Sequence, residues 1–149
     1  MLIINDIIKK LPYTNPFLFV DRINMVSANA LEGCYTFKQD EFFYKGHFKE
    51  QPVTPGVILT ECCAQIGLVC LGIHLLNLEE LNTGDLQVAL SSSEMQFLLP
   101  VFPQETVTVK SSKLFFRFNK LKCEVKMYNQ RAQLVCKGVL SGMIKNNNI

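Results

Sequence analysis

Charge is sparse in this chain. Asp, Glu, Lys and Arg make up 19% of its 149 residues, and the net charge is +2. No basic run, zinc-finger spacing or aromatic RNA-binding signature is present, which argues against a nucleic-acid partner. Histidine is scarcer still, with only His47 and His74. None of Cys34, Cys62, Cys63, Cys70, Cys123 and Cys136 forms a C-x-x-C pair, so the spacing of a zinc site is missing and no metal is expected. Met1-Leu2-Ile3-Ile4 is apolar but gives way at Asn5-Asp6, too soon for an export signal or a membrane span. An even cysteine count allows a disulfide framework. In an apolar chain of this length without a leader, reduced buried thiols and a cytoplasmic location are the expectation. No repeat and no linker interrupts residues 1–149, which read as one domain with a frayed tail over 145–149.

Apolar residues are what the chain has in quantity, 48% of the total. That is enough for a core without staples. It also leads us to expect that part of the surface is hidden between subunits.

The apolar pattern divides the chain. Ile3, Ile4, Ile7, Ile8 and Leu11 recur at helical spacing, and Pro12 stops them, predicting a helix over 2–11. Residues 17–27 and 31–38 read as strands joined by a turn at Ala28-Asn29-Ala30. Residues 39–54 read as a structured loop. The stretch 55–76 is apolar or small except at Thr60, Glu61, Gln65 and His74, the pattern of a buried helix. A polar connection over 79–85 follows, then strands over 86–97, 105–118, 120–129 and 131–144, with turns at Asn119-Lys120 and Asn129-Gln130. The predicted class is α+β, an antiparallel sheet wrapped around one long apolar helix.

Chemistry gathers where the loop meets that helix. Thr54 before Pro55 predicts a helix start with Thr54 as cap. Gly56 and Val57 then present free N–H groups at the positive end of the helix dipole, a site for a developing oxyanion. Gly56 has no side chain, so a ligand carbonyl can approach it closely. Glu61 lies inside the apolar helix, where burial raises a carboxyl pKa or demands a partner. Gln65, four residues on, is placed to hydrogen-bond it. A carboxyl kept protonated is a general acid, and His47 in the preceding loop is the natural base. Taken singly, each residue has a plainer reading: a solvated loop histidine, a structurally paired glutamate, an ordinary helix start. Cys62 and Cys63 read as packing and His74 as a satisfied core or edge histidine. Asp21-Arg22 reads as a structural ion pair. Lys9, Lys10, Lys45, Lys49, Arg117, Lys120 and Lys122 read as solvated surface, some of it available to an acidic partner.

Three ordered motifs sharpen the choice: Phe43-x-x-Gly46-His47-Phe48, Pro52-Val53-x-Pro55-Gly56-Val57 and Glu61-x-x-Ala64-Gln65. They resemble the β-hydroxyacyl-(acyl carrier protein) dehydratases of bacterial fatty-acid synthesis, the FabZ type. Leu11-Pro12-x-x-x-Pro16-Phe17-Leu18-x-Val20-Asp21-Arg22 and Phe97-x-x-Pro100-Val101-x-Pro103 resemble further signatures, and the likeness covers about residues 11–142. The resemblance implies a hot-dog fold and a homodimer or trimer of dimers. It implies an acyl carrier protein as substrate carrier and no cofactor. His47 of one subunit faces Glu61 of the other in this family. By the same resemblance His47 removes the proton beside the thioester carbonyl, and Glu61 protonates the departing hydroxyl. Gly56 N–H polarises the carbonyl, the Val53 carbonyl orients His47, and Gln65 orients Glu61.

Three positions depart from the pattern. Lys49-Glu50 stands where the family has Pro-Gly, Tyr13 where it often has His, and Pro103-Gln104-Glu105 where it has Pro-Gly-Asp. They point to an altered substrate range, such as an aryl polyene or polyketide-like pathway. The competing readings are a thioesterase on the same fold, using Glu61 and water, and a non-catalytic acyl or carrier-protein binding module.

Overall fold

The computed structural model describes residues 4–79 and 86–146. A short helix α1 (Ile4–Lys9) leads into strands β1 (Arg22–Val26) and β2 (Ala30–Thr36). A 3-10 turn at Phe42–Lys45 precedes the central helix α2 (Gly56–Leu78). Strands β3 (Leu86–Phe97), β4 (Thr106–Arg117), β5 (Lys120–Tyr128) and β6 (Leu134–Asn146) complete one antiparallel sheet in the order β1-β2-β4-β5-β6-β3. This is a hot-dog fold, a curled sheet around one helix, and the class is α+β.

Side-chain alternation sets which face of the sheet meets the helix. On β5, Leu121, Cys123, Val125 and Met127 are buried, while Lys120, Glu124 and Lys126 face solvent. Val107 and Val109 on β4 and Leu140 and Ile144 on β6 extend the same apolar floor. Helix α2 is long and apolar enough to cross a bilayer, yet 78% of its apolar stretch is buried in this fold. Its middle, Ala64–Cys70, is π-helical between two α-helical segments, a local widening that often marks functional helices. Close seating on the sheet depends on absent side chains. A Cβ at Gly67 would stand 2.8 Å from Val125, and one at Gly72 would collide with Ile144.

Several expectations shift. The strand predicted over 17–27 forms only at Arg22–Val26, because the backbone of Phe17 and Phe19 bonds a side chain instead of a neighbouring strand. Lys145 and Asn146, expected in the tail, pair with Gln87 and Leu86 in β6. The connection expected over 79–85 lies outside the described residues except for Glu79. The tight β4–β5 turn falls at Phe118 and Asn119, both left-handed. Asp21 does not pair with Arg22. It accepts the Thr36 amide and lies 3.7 Å from Lys38, while Arg22 bonds Asn24. The Nδ1 of His74 is buried without a partner, contrary to a satisfied histidine, and burial lowers its pKa. All six cysteines are free and buried, as expected.

Among the described residues, no strand lies along the outer edge of β3. Strand β3 pairs with β6 on one side only. Its Leu90 and Phe97 stand in line with buried Gly142 and Cys136 of β6, yet are 46% and 48% exposed.

Candidate active site

The 3-10 turn sets His47 at the start of a tight loop. The amides of Gly46 and His47 both donate to Phe43 O, at 3.3 and 3.1 Å. The chain then folds back, and Val53 N donates to His47 O at 3.0 Å. The His47 Nδ1 lies 2.8 Å from Val53 O. A carbonyl only accepts, so Nδ1 carries the hydrogen and a neutral imidazole keeps Nε2 as its free lone pair. The Phe48 ring stacks on the imidazole, with centroids 4.0 Å apart.

Helix α2 begins one residue later than the sequence suggests. Pro55 is its N-cap and Gly56 its first residue. The Thr54 hydroxyl does not cap the helix but meets Tyr44 OH at 2.6 Å. Ile58 and Leu59 are the first amides to bond within the turn, both to Pro55 O. The Gly56 and Val57 amides precede them at the positive end of the helix. The space over the Gly56 Cα belongs to Phe97, whose ring comes within 3.3 Å of where a Cβ would stand. The missing side chain therefore admits this ring on the Cβ side. A cleft of about 310 Å³ lies beside it, walled by Thr54, Gly56, Leu59, Phe97 and Pro100.

Glu61 lies on α2 with its carboxylate 3.0 Å from Gln65 Nε2. Burial pushes its pKa up, and the Gln65 bond partly offsets that. Gln65 is fully buried and also ties down the chain ahead of β1. Its Nε2 donates to Phe17 O at 3.0 Å, and its Oε1 accepts from Phe19 N at 2.8 Å. Gln65 thus joins the Pro16-Phe17-Leu18 segment to the carboxyl, a link the sequence showed only as two separate motifs. Tyr13 belongs to this neighbourhood as well. Burial first, and then the negative charge of Glu61, raise its phenol pKa. Val57, one turn before Glu61 on the same helix, is 76% exposed.

Of the residues the sequence singled out, Val53 and His47 are brought together, and so are Glu61 and Gln65. No hydrogen bond or ion pair joins His47 to Glu61 within the chain. Among the described residues no three His, Cys, Asp or Glu side chains gather as a metal site. Sequence reasoning missed Phe97 over Gly56, and Tyr44 on Thr54. Phe97 comes from a distant strand and Tyr44 from across the same loop, and neither contact has a local signal.

The model of the FabA-like domain matches residues 11–140. This chain belongs to the FabA-like family. Among curated members, the 3-hydroxyacyl-[acyl-carrier-protein] dehydratase FabZ of Clostridioides difficile (strain 630) is 36% identical over 141 residues, covering 94% of this chain and 95% of that protein. The FabZ of Ehrlichia canis (strain Jake) is 32% identical, covering 97% and 96%. Among solved structures, the dehydratase heterocomplex ApeI:P from Xenorhabdus doucetiae superposes with a TM-score of 0.78 at 15% identity, covering 95% of this chain and 92% of that one. A hypothetical thioesterase of Streptococcus pneumoniae TIGR4, solved with coenzyme A, gives 0.63 at 16% identity, covering 84% and 85%. Dehydratases and thioesterases share this fold, so fold alone does not select between them. The FabA-like sequence match is what separates them here.

Proposed function

We propose that this chain is a 3-hydroxyacyl-(acyl carrier protein) dehydratase, a hydro-lyase that converts the substrate to a trans-2-enoyl thioester and water. It serves fatty-acid synthesis or a related aryl polyene or polyketide-like route. The observation that carries the reading is the His47 Nδ1 bond to Val53 O, which leaves Nε2 as base ahead of a helix bearing a carboxyl whose pKa burial has raised. His47 takes the proton from the carbon beside the thioester carbonyl. The Gly56 amide stabilises the negative charge that develops on the carbonyl oxygen. Glu61, protonated, gives its proton to the departing hydroxyl, directly or through a water. Gln65 holds that carboxyl, and Val53 O holds the imidazole.

We read the working unit as a homodimer of single-domain chains, in which His47 acts with the partner subunit's Glu61. Three features support this reading: the outer β3 edge with no described strand along it, the exposed Val57 beside Glu61, and the lack of any bond between His47 and Glu61 in one chain. A trimer of dimers is the larger assembly this family suggests. Six free buried thiols suit a reducing cytoplasm. The carrier would approach through the β4–β5 hairpin. Residues 106–128 carry Lys110, Lys113, Arg117, Lys120, Lys122 and Lys126 against Glu124 alone, in a chain of net charge +2. Phe118 at its tip is 90% exposed.

Purified protein incubated with a 3-hydroxyacyl-carrier thioester should yield a product one water lighter. His47→Ala and Glu61→Gln should each abolish that product. Free acid instead would establish a thioesterase, and unchanged, tightly bound substrate would establish a binding module.

A further inference from the structure

The His47 loop is closed by a bond that touches no substrate. Tyr44 lies in the 3-10 turn just before His47, and Thr54 just before the helix cap. Both side chains are buried, and their hydroxyl oxygens are 2.6 Å apart, either one able to donate. Val53, whose carbonyl holds the His47 ring, is followed directly by Thr54. The Thr54 amide donates to Val101 O at 2.8 Å, and its hydroxyl meets Tyr44. In the other direction Thr54 leads through Pro55 to Gly56. The Tyr44–Thr54 contact, the one side-chain bond at this residue, therefore lies between the acceptor that aims the imidazole and the start of the helix that offers its amide.

We infer that Tyr44 and Thr54 form a positioning brace, a buried hydroxyl pair that fixes His47 relative to the Gly56 amide. The inference rests on the dehydratase reading above. Neither Tyr44 nor Thr54 is one of the motif residues, since they stand at the open positions of Phe43-x-x-Gly46 and Val53-x-Pro55. Burial pushes the Tyr44 phenol up to about 12, so the pair stays neutral at working pH and acts by position, not charge. Breaking it from one side leaves a buried hydroxyl unmatched, whereas replacing both partners by apolar groups removes the mismatch.

The test compares Tyr44→Phe, Thr54→Val, Thr54→Ser and the double variant Tyr44→Phe/Thr54→Val by steady-state kinetics on a 3-hydroxyacyl-carrier thioester. Nitrogen-15 NMR of the His47 ring runs beside it, with His74→Gln to assign the two histidines. Tyr44→Phe and Thr54→Val should each lower kcat about ten-fold with KM within about two-fold, since a small misplacement of a reacting group acts on the chemical step. Thr54→Ser should keep the wild-type rate. The double variant should be no worse than either single one, the signature of a coupled pair. In both single variants the ring signals should move from the Nδ1-protonated tautomer toward a mixture. Folded Tyr44→Phe with unchanged kcat and unchanged ring signals would overturn the brace. So would a loss of activity that tracks only the folded fraction. Failure of the wild type to dehydrate would defeat the dehydratase reading, and the ring signals would still judge the brace.

Discussion

Glu61 shows how function and stability oppose each other at one side chain. Its pKa in the fold is raised by burial, the first cause, and only partly lowered by Gln65. A carboxyl with a raised folded pKa binds its proton more tightly in the native state. Its favourable contribution is complete below the unfolded value and is lost as pH rises through the folded value. Above the unfolded value that contribution falls away, and Glu61 is therefore a burden on the fold. Glu61→Gln should raise the melting temperature by a few degrees at pH 7 while removing activity, and the gain should shrink as pH falls toward 4.5. A melting series across pH checks this. A Gln variant less stable than wild type at pH 7 and more stable at pH 4.5 would have the wrong sign. In the wild type, the same titration should close the upper limb of the activity profile, because the acid works only while protonated.

Among the elements, the turn between β3 and β4 carries a visible compromise. Pro103 and Gln104 turn the chain, with Gln104 at φ 73 and the Glu105 amide returning to Phe102 O. That geometry favours glycine at the second central position. A side chain in the left-handed region costs roughly 1–2 kcal/mol. Gln104→Gly should stabilise the protein by about 1 kcal/mol, raising the melting temperature by about 2–4 °C and leaving turnover unchanged. Calorimetry with a parallel rate assay checks it.

The elements also explain what the sequence could reveal. The long helix and β5 are legible because burial enforces period: residues 55–76 are apolar or small but for four positions, and β5 alternates cleanly. Phe17–Phe19 has the composition of a strand but lies outside β1. What decides its conformation is Gln65, far along the chain. The local pattern Thr-Pro-Gly predicts Thr54 as a cap. Its hydroxyl is engaged by Tyr44, which no local pattern encodes. The pairs His47–Val53 and Glu61–Gln65 were legible through the family resemblance and the four-residue helical spacing, whereas Phe97 over Gly56 is a long-range contact without a sequence signature.

Across the whole molecule, cationic charge gathers on one hairpin. Arg117, Lys120 and Lys122 lie at or beside the turn where Phe118 projects, and the Arg117 guanidinium sits 4.4 Å from the centre of the Phe115 ring. If the acidic carrier docks there, Lys120→Glu with Lys122→Glu should raise KM for carrier-bound substrate about ten-fold or more. The same change should leave turnover of a small thioester analogue as it was, because rim charges govern encounter and not chemistry. Added salt should weaken the wild type in the same direction.

Subunit mixing tests most directly the proposed site shared between subunits, which rests on the β3 edge and on the lack of a bond between His47 and Glu61 in one chain. His47→Ala and Glu61→Gln proteins, each inactive alone, are unfolded and refolded together, and the product is followed by mass. A mixed dimer then holds one site with both residues intact. Random pairing predicts dehydration at roughly a quarter of the wild-type rate. No recovery in mixtures shown to contain mixed dimers, or water loss by either variant alone, would contradict a base and an acid supplied by different subunits.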